Sequence, residues 1–155
     1  MRSSPTGGSR MATILDTSAL VVLMRRSRPR ELEPVADAAR GEMESGRALL
    51  SAVTAAELLV GSRGKTGTGP LMALIEGLPV VDAGREVALL AGRMGATARQ
   101  AGATIPLPDL LIAATALWLD VPLLTCDSDF RRGIEAGVGP EPGLWSRLRL
   151  HPASS

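Results

Sequence analysis

The stretch ATILDTSAL, residues 12–20, decides the fold. Ile14 and Leu15 read as a strand entering a core, and the strand ends on an acid, Asp16, with Thr17 and Ser18 before the apolar run Ala19–Met24. A carboxylate at the edge of a core needs a partner, because desolvating an unpaired charge is costly. Two readings meet these residues. Asp16 caps the following helix, or it holds a metal ion. Taken alone, the cap is the simpler reading.

Working outward, the same grammar repeats. Residues 12–16 predict a strand, 19–26 a helix broken by Arg28-Pro29-Arg30, and 32–46 a second helix with apolar positions at Leu32, Val35, Ala36, Ala39 and Met43. Residues 48–53 read as a buried strand, and 54–60 as a helix stopped by Gly61. GSRGKTGTGP is a loop. A short helix follows over 71–76, a strand over 78–81, a long helix over 86–101, an apolar helix over 108–119, a strand over 121–125 and a helix over 129–136. Strands alternating with helices predict an α/β fold with a central parallel sheet flanked by helices. LPVV and VPLLT are continuously apolar, as strands covered on both faces should be. The chain divides into a Gly/Ser/Pro-rich N-terminal extension over 1–10, expected to be disordered, a single domain over 11–138, and a Gly/Pro-rich C-terminal tail over 139–155.

Composition narrows the chemistry. The chain has 155 residues, of which 45% are hydrophobic and only 2% aromatic, so the core is built from Leu, Val, Ile and Ala. One cysteine, Cys126, excludes an intramolecular disulfide and a cysteine-cluster zinc site. One histidine, His151, makes histidine-based catalysis a poor fit. Carboxylates and hydroxyls are left to do the work. No signal peptide is visible at the start, and the longest apolar run, 110–119, is too short to span a bilayer. The expectation is a cytoplasmic protein. The 17 basic residues are nearly all Arg, facing 16 acids. If five acids share one pocket, the remaining surface is net basic and can hold a polyanion.

The acids have innocent explanations one at a time. Thr54-x-x-Glu57 fits a capping box. Asp109 sits in the first turn of the apolar helix opened by Pro108, where a negative charge suits the helix dipole. Asp127 and Asp129 follow a buried strand, where Asp side chains build turns. Together they are harder to dismiss. In a parallel sheet, strand ends and helix starts of this kind share the carboxyl edge, where ligands bind. Carboxylates gathered there repel one another unless they share protons or bind cations. Oxygen-only donors suit Mg²⁺ or Mn²⁺.

Four segments in this order, ILDTSAL, TAAELLVG, IPLPDLLIAATAL and LLTCDSDF, resemble the PIN-domain ribonucleases, and among them the VapC-type toxins of bacterial toxin–antitoxin pairs. The resemblance covers residues 12–136. It implies a Mg²⁺-dependent endoribonuclease, with Mn²⁺ as an alternative ion. It implies catalytic roles for Asp16, Glu57, Asp109 and Asp127, with metal on Asp16, Asp109 and Asp127. Asp129 matches a fifth acid of some members, and Thr17, Ser18 and Thr125 match hydroxyl positions behind the acids. The implied partners are RNA, a cognate antitoxin and a second copy of the chain. Arg25, Arg26 and Arg28 are candidates to steer RNA. The stripe Leu32–Met43 either packs on the chain's own sheet or accepts an antitoxin helix.

Rival readings are a PIN fold without catalysis, serving as a binding module, and a metal-dependent phosphatase. Acids intact at all four segments argue against the first. The second also fits LDTS poorly, because haloacid-dehalogenase-type phosphatases carry a second Asp where this chain has Ser18. Gly64-Lys65-Thr66 suggests a phosphate loop, but the first glycine of that motif would fall on Leu59. Cys126 reads as a small apolar residue at a strand end, and Trp118 and Trp145 as core or interface.

Overall fold

The computed structural model describes residues 12–62, 69–136 and 143–151. The N-terminal extension and most of GSRGKTGTGP lie outside them. The elements run β1 (Thr13–Leu15), α1 (Thr17–Met24), a 3-10 turn at Arg30–Leu32 leading into α2 (Glu33–Glu44), β2 (Ala48–Ser51), α3 (Ala52–Gly61), α4 (Gly69–Gly77) and β3 (Val80–Val81). Then come α5 (Arg85–Gln100), α6 (Leu107–Leu119), β4 (Leu123–Leu124), α7 (Ser128–Ala136), a 3-10 turn at Leu144–Arg147 and β5 (Leu150–His151).

The five strands form one parallel sheet in the order β3-β2-β1-β4-β5. Ile14 pairs with Leu49 on one side and Leu123 on the other, so β1 is central. The alternation of side chains across a strand divides the core. Ile14 and Leu123 face α5, α6 and α7 together with Met94, Ile112, Phe130 and Trp145. Their neighbours Leu15 and Leu124 face α1, α2 and α3 together with Leu20, Val35, Ala39 and Leu58. One residue of slip in β1 would exchange the two sets, so the apolar pattern fixes the register. From β1 the chain winds out through β2 and β3, then returns to start β4 on the other side of β1. That reversal opens a crevice at the carboxyl ends of β1 and β4.

Several expectations shift in detail. Helix α3 begins at Ala52, capped by Ser51, whose hydroxyl accepts the Val53 N–H at 3.1 Å. Thr54 therefore lies inside the helix, fully buried, and the expected Thr54–Glu57 capping box does not form. Helix α6 begins at Leu107, putting Pro108 second, a position that also tolerates a missing N–H. The stripe on α2 is spent inside the molecule: Val35, Ala36 and Ala39 are buried and Met43 packs against the same core.

The walk along the sequence expected four strands, and the structure has a fifth. Leu150–His151 adds to β4 in parallel, with the Leu123 N–H bonded to Arg149 O at 2.9 Å. Just before it, Trp145 is fully buried and its indole N–H donates to Met94 O at 2.8 Å. Its ring lies over Gly133, where an added Cβ would come within 2.3 Å of it. Residues 144–150 thus contribute Trp145 and Leu148 to the core.

Candidate metal centre

Strand β1 ends because its last ladder bond, Asp16 N–H to Leu124 O at 2.9 Å, is followed by the start of α1. Asp16 stands at the N-cap position, yet its side chain makes no cap hydrogen bond. Its Oδ2 instead accepts the Ser18 hydroxyl at 2.7 Å and the Thr125 hydroxyl at 2.8 Å. The two hydroxyl oxygens lie 3.1 Å apart. Thr125 follows β4, so this network ties the ends of the two strands that flank the crevice. It continues through backbone: Cys126 N–H donates to Ser18 Oγ at 3.2 Å and Asp127 N–H to Thr125 Oγ1 at 2.9 Å. Asp16 is 2% exposed, and burial is the main force raising its carboxyl above the usual range, with the Ser18 and Thr125 hydroxyls pulling it back.

Asp127 serves two ends. Its Oδ1 accepts the Asp129 N–H at 2.9 Å, capping α7, which leaves its other oxygen for the crevice. Asp109, in the first turn of α6, faces it. Carboxylate oxygens of Asp109, Asp127 and Asp129 all lie within 4.8 Å of one another. Asp109 pays for this company in proton affinity. Burial first, then the charges of Asp127 and Asp16 and a hydrogen bond with Asp129, push its carboxyl up to about 7. Arg132, one turn on in α7, binds Asp129 and reaches Thr104 O at 3.3 Å, so one of the three acids already has a cation. The sequence reading did not single out Arg132, although an acid and a base three apart in a helix is its signature.

Glu57 stands apart from this trio. Its Oε1 accepts the Thr17 hydroxyl at 2.8 Å, which joins α3 to the start of α1 beside Asp16. Thr17 Oγ1 also lies 3.3 Å from Thr54 Oγ1. The structure thus brings together Asp109, Asp127 and Asp129, sets Asp16 behind them on hydroxyl supports, and holds Glu57 at the side through Thr17. Of the candidate steering arginines, Arg28 turns inward to the carbonyls of Val22 and Arg25, both at 3.1 Å, and to Glu33, while Arg25 and Arg26 stay exposed. Cys126 is exposed rather than apolar filling, Trp145 lies in the core and Trp118 is 54% exposed.

The donor set can hold a hard divalent cation. Every available ligand atom is a carboxylate oxygen, neither imidazole nor thiolate is among them, and of the burial and repulsion that raise the Asp109 carboxyl, the repulsion is what a dication would relieve.

The PIN domain profile matches residues 13–134, the span that carries all of these acids. This chain belongs to the PIN-domain family. Solved structures with the same fold support the architecture. VapBC2 from Rickettsia felis, bound to a DNA fragment from its promoter, matches with a TM-score of 0.68 at 20% identity, over 91% of this PIN domain chain and 98% of that one. FitAcB from Neisseria gonorrhoeae gives 0.65 at 20% identity over 89% and 95%. VapBC-1 from nontypeable Haemophilus influenzae gives 0.65 at 24% identity over 91% and 97%. No match is found among curated protein sequences. No helix among the described residues of this PIN domain is long and apolar enough to cross a membrane.

Proposed function

We propose that this PIN domain is a metal-dependent endoribonuclease and the toxin of a type II toxin–antitoxin pair, acting in the cytoplasm. The observation that carries the reading is the convergence of Asp109, Asp127 and Asp129 over the hydroxyl-supported Asp16, at the crevice between β1 and β4. The toxin assignment is supported by structural neighbours that are VapBC complexes. The cation is Mg²⁺, with Mn²⁺ able to replace it, and Asp16, Asp109 and Asp127 would hold it, with Asp129 beside them adding charge. When bound, it supplies water activation and offsets negative charge on the scissile phosphate. The residues do the rest. Ser18 and Thr125 fix the rotamer of Asp16. Asp109 would hold the cation in its deprotonated form. Glu57, held by Thr17, adds negative charge at the flank. RNA is the substrate, a small antitoxin the inhibitor and a second copy of the chain the dimer partner.

The test is to incubate the purified chain with structured RNA and with a small phosphomonoester, with Mg²⁺, Mn²⁺ or a chelator. The expected result is RNA cleaved with either ion, protected by chelation, and the monoester untouched. RNA bound but never cut would favour the binding module, and turnover of the monoester the phosphatase. Expression of the chain should arrest growth, and a small neighbouring-gene product that binds it should relieve the arrest. A chain harmless at high expression, with no such partner, would remove the toxin assignment.

A further inference from the structure

Beside the acids lies a second concavity that the metal chemistry does not use. Helix α5 runs against α6, and between its C-terminal half and the start of α6 opens a cleft of about 480 Å³. Gly92, Ala96, Arg99, Gln100, Thr104 and Leu110 line it. It adjoins the acid cluster through Thr104, whose carbonyl is held by the same Arg132 that binds Asp129. Among the described residues, the side chains of Arg99 and Gln100 make no hydrogen bond or ion pair, and both are exposed. An apolar cleft with an amide and a guanidinium at its mouth suits a flat ring with a polar edge and an anion attached.

We propose that this cleft seats the base of an RNA nucleotide adjoining the scissile phosphate, with Gln100 reading the base edge and Arg99 holding the neighbouring phosphate. The inference rests on the ribonuclease reading, because it is the shared wall with the acid cluster that makes RNA the occupant. The cleft, and not the acids, then sets sequence preference. A side-chain amide pairs with base edges through two hydrogen bonds, so its loss flattens preference at one position. A guanidinium on a phosphate adds affinity for every sequence and is screened by salt.

Gly92 supplies the test. An added Cβ there meets nothing within 4 Å, so Gly92→Leu fills the cleft without a backbone clash, and leucine favours the helix over glycine. Wild type, Gly92→Leu, Gln100→Ala and Arg99→Ala are compared on RNA oligonucleotides randomised around the cut, with melting temperatures measured in parallel. Gly92→Leu is expected to lower kcat/KM about 10-fold or more through KM, at an unchanged or higher melting temperature. Gln100→Ala is expected to lose roughly 10-fold of discrimination at one flanking position. Arg99→Ala should raise KM for all sequences and make the salt dependence shallower. Wild type cutting RNA while Gly92→Leu and Gln100→Ala cut the same sites with the same kcat/KM would overturn the proposal. So would a Gly92→Leu chain that keeps the cleavage pattern but no longer binds a second copy, since the cleft would then be a protein contact. A wild-type chain that cuts no RNA brings down this inference and the reading beneath it together.

Discussion

Asp16 and Asp109 sit on the same edge of one sheet, and both carboxyls are raised chiefly by burial, yet the structure treats them differently. Asp16, at the β1–α1 junction, is given two hydroxyl donors and the nearby Thr125 backbone turn, so its order does not depend on an ion. Asp109, at the start of α6, is given Asp127, Asp129 and Asp16 as neighbours. The first region is held by its own hydrogen bonds, and the second is left with a repulsion that a cation would relieve. The two carboxylates are told apart by what surrounds them, because each alone passes for a helix-terminal acid.

The largest expected effect belongs to the second region. Asp109→Asn and Asp127→Asn should each lower RNA cleavage on the order of 1000-fold, the scale of losing several kcal/mol of charge stabilisation. Turnover near wild type by folded Asp109→Asn protein would remove it from the mechanism. Next comes the support. Ser18→Ala deletes a donor to Asp16 while leaving the hydrogen bonds of the Asp109 trio in place, and should lower metal affinity or activity roughly 10- to 100-fold, as losses behind a ligand do. An unchanged Mn²⁺ affinity and rate would sever Asp16 from the site.

Stability without metal should separate the two regions by sign. Asp16→Ala strips the Ser18 and Thr125 hydroxyls of a buried acceptor and should cost about 1–3 kcal/mol by denaturant titration. Asp109→Asn should instead raise the melting temperature at pH 8, because it removes a charge from a repelling set. The same contrast has a pH signature. Asp109 holds its proton to about 7 when folded, against an ordinary value of 3.8. Below the lower value it is protonated in both states and adds nothing. Between the two the folded state binds more proton, so stability falls as pH rises, and the loss is complete above the upper value. The Asp109 share of that fall should vanish in Asp109→Asn and be offset by Mg²⁺, which binds the folded state. An equal slope in both proteins would place the repulsion elsewhere.

Most of the architecture was legible because parallel strands buried on both faces leave continuous apolar runs, as VPLLT does, whereas the equally apolar LPVV forms an edge strand with Val80 39% exposed. Boundaries were less so. Ala52 and Val53 look like strand, and only the Ser51 cap in three dimensions assigns them to α3. Strand β5 escaped notice because two residues, Leu150 and His151, carry no period, and its anchor is a contact between Trp145 and Gly133 that is not local. At the site, residue types and order were readable and distances were not. Nothing local says that Asp129 closes on Asp109 and Asp127 while Glu57 turns to Thr17, since those pairings depend on how α6, α7 and α3 dock.

A divalent cation is expected to complete the Asp109 cluster by displacing its proton. Calorimetric titration of the wild-type chain with Mn²⁺ at pH 6.5, in two buffers of different ionisation heat, measures that displacement directly. The account predicts binding with release of a substantial fraction of a proton per ion, and in Asp109→Asn weaker binding with that release lost. Binding of equal strength in both proteins, with no proton released by either, would contradict it.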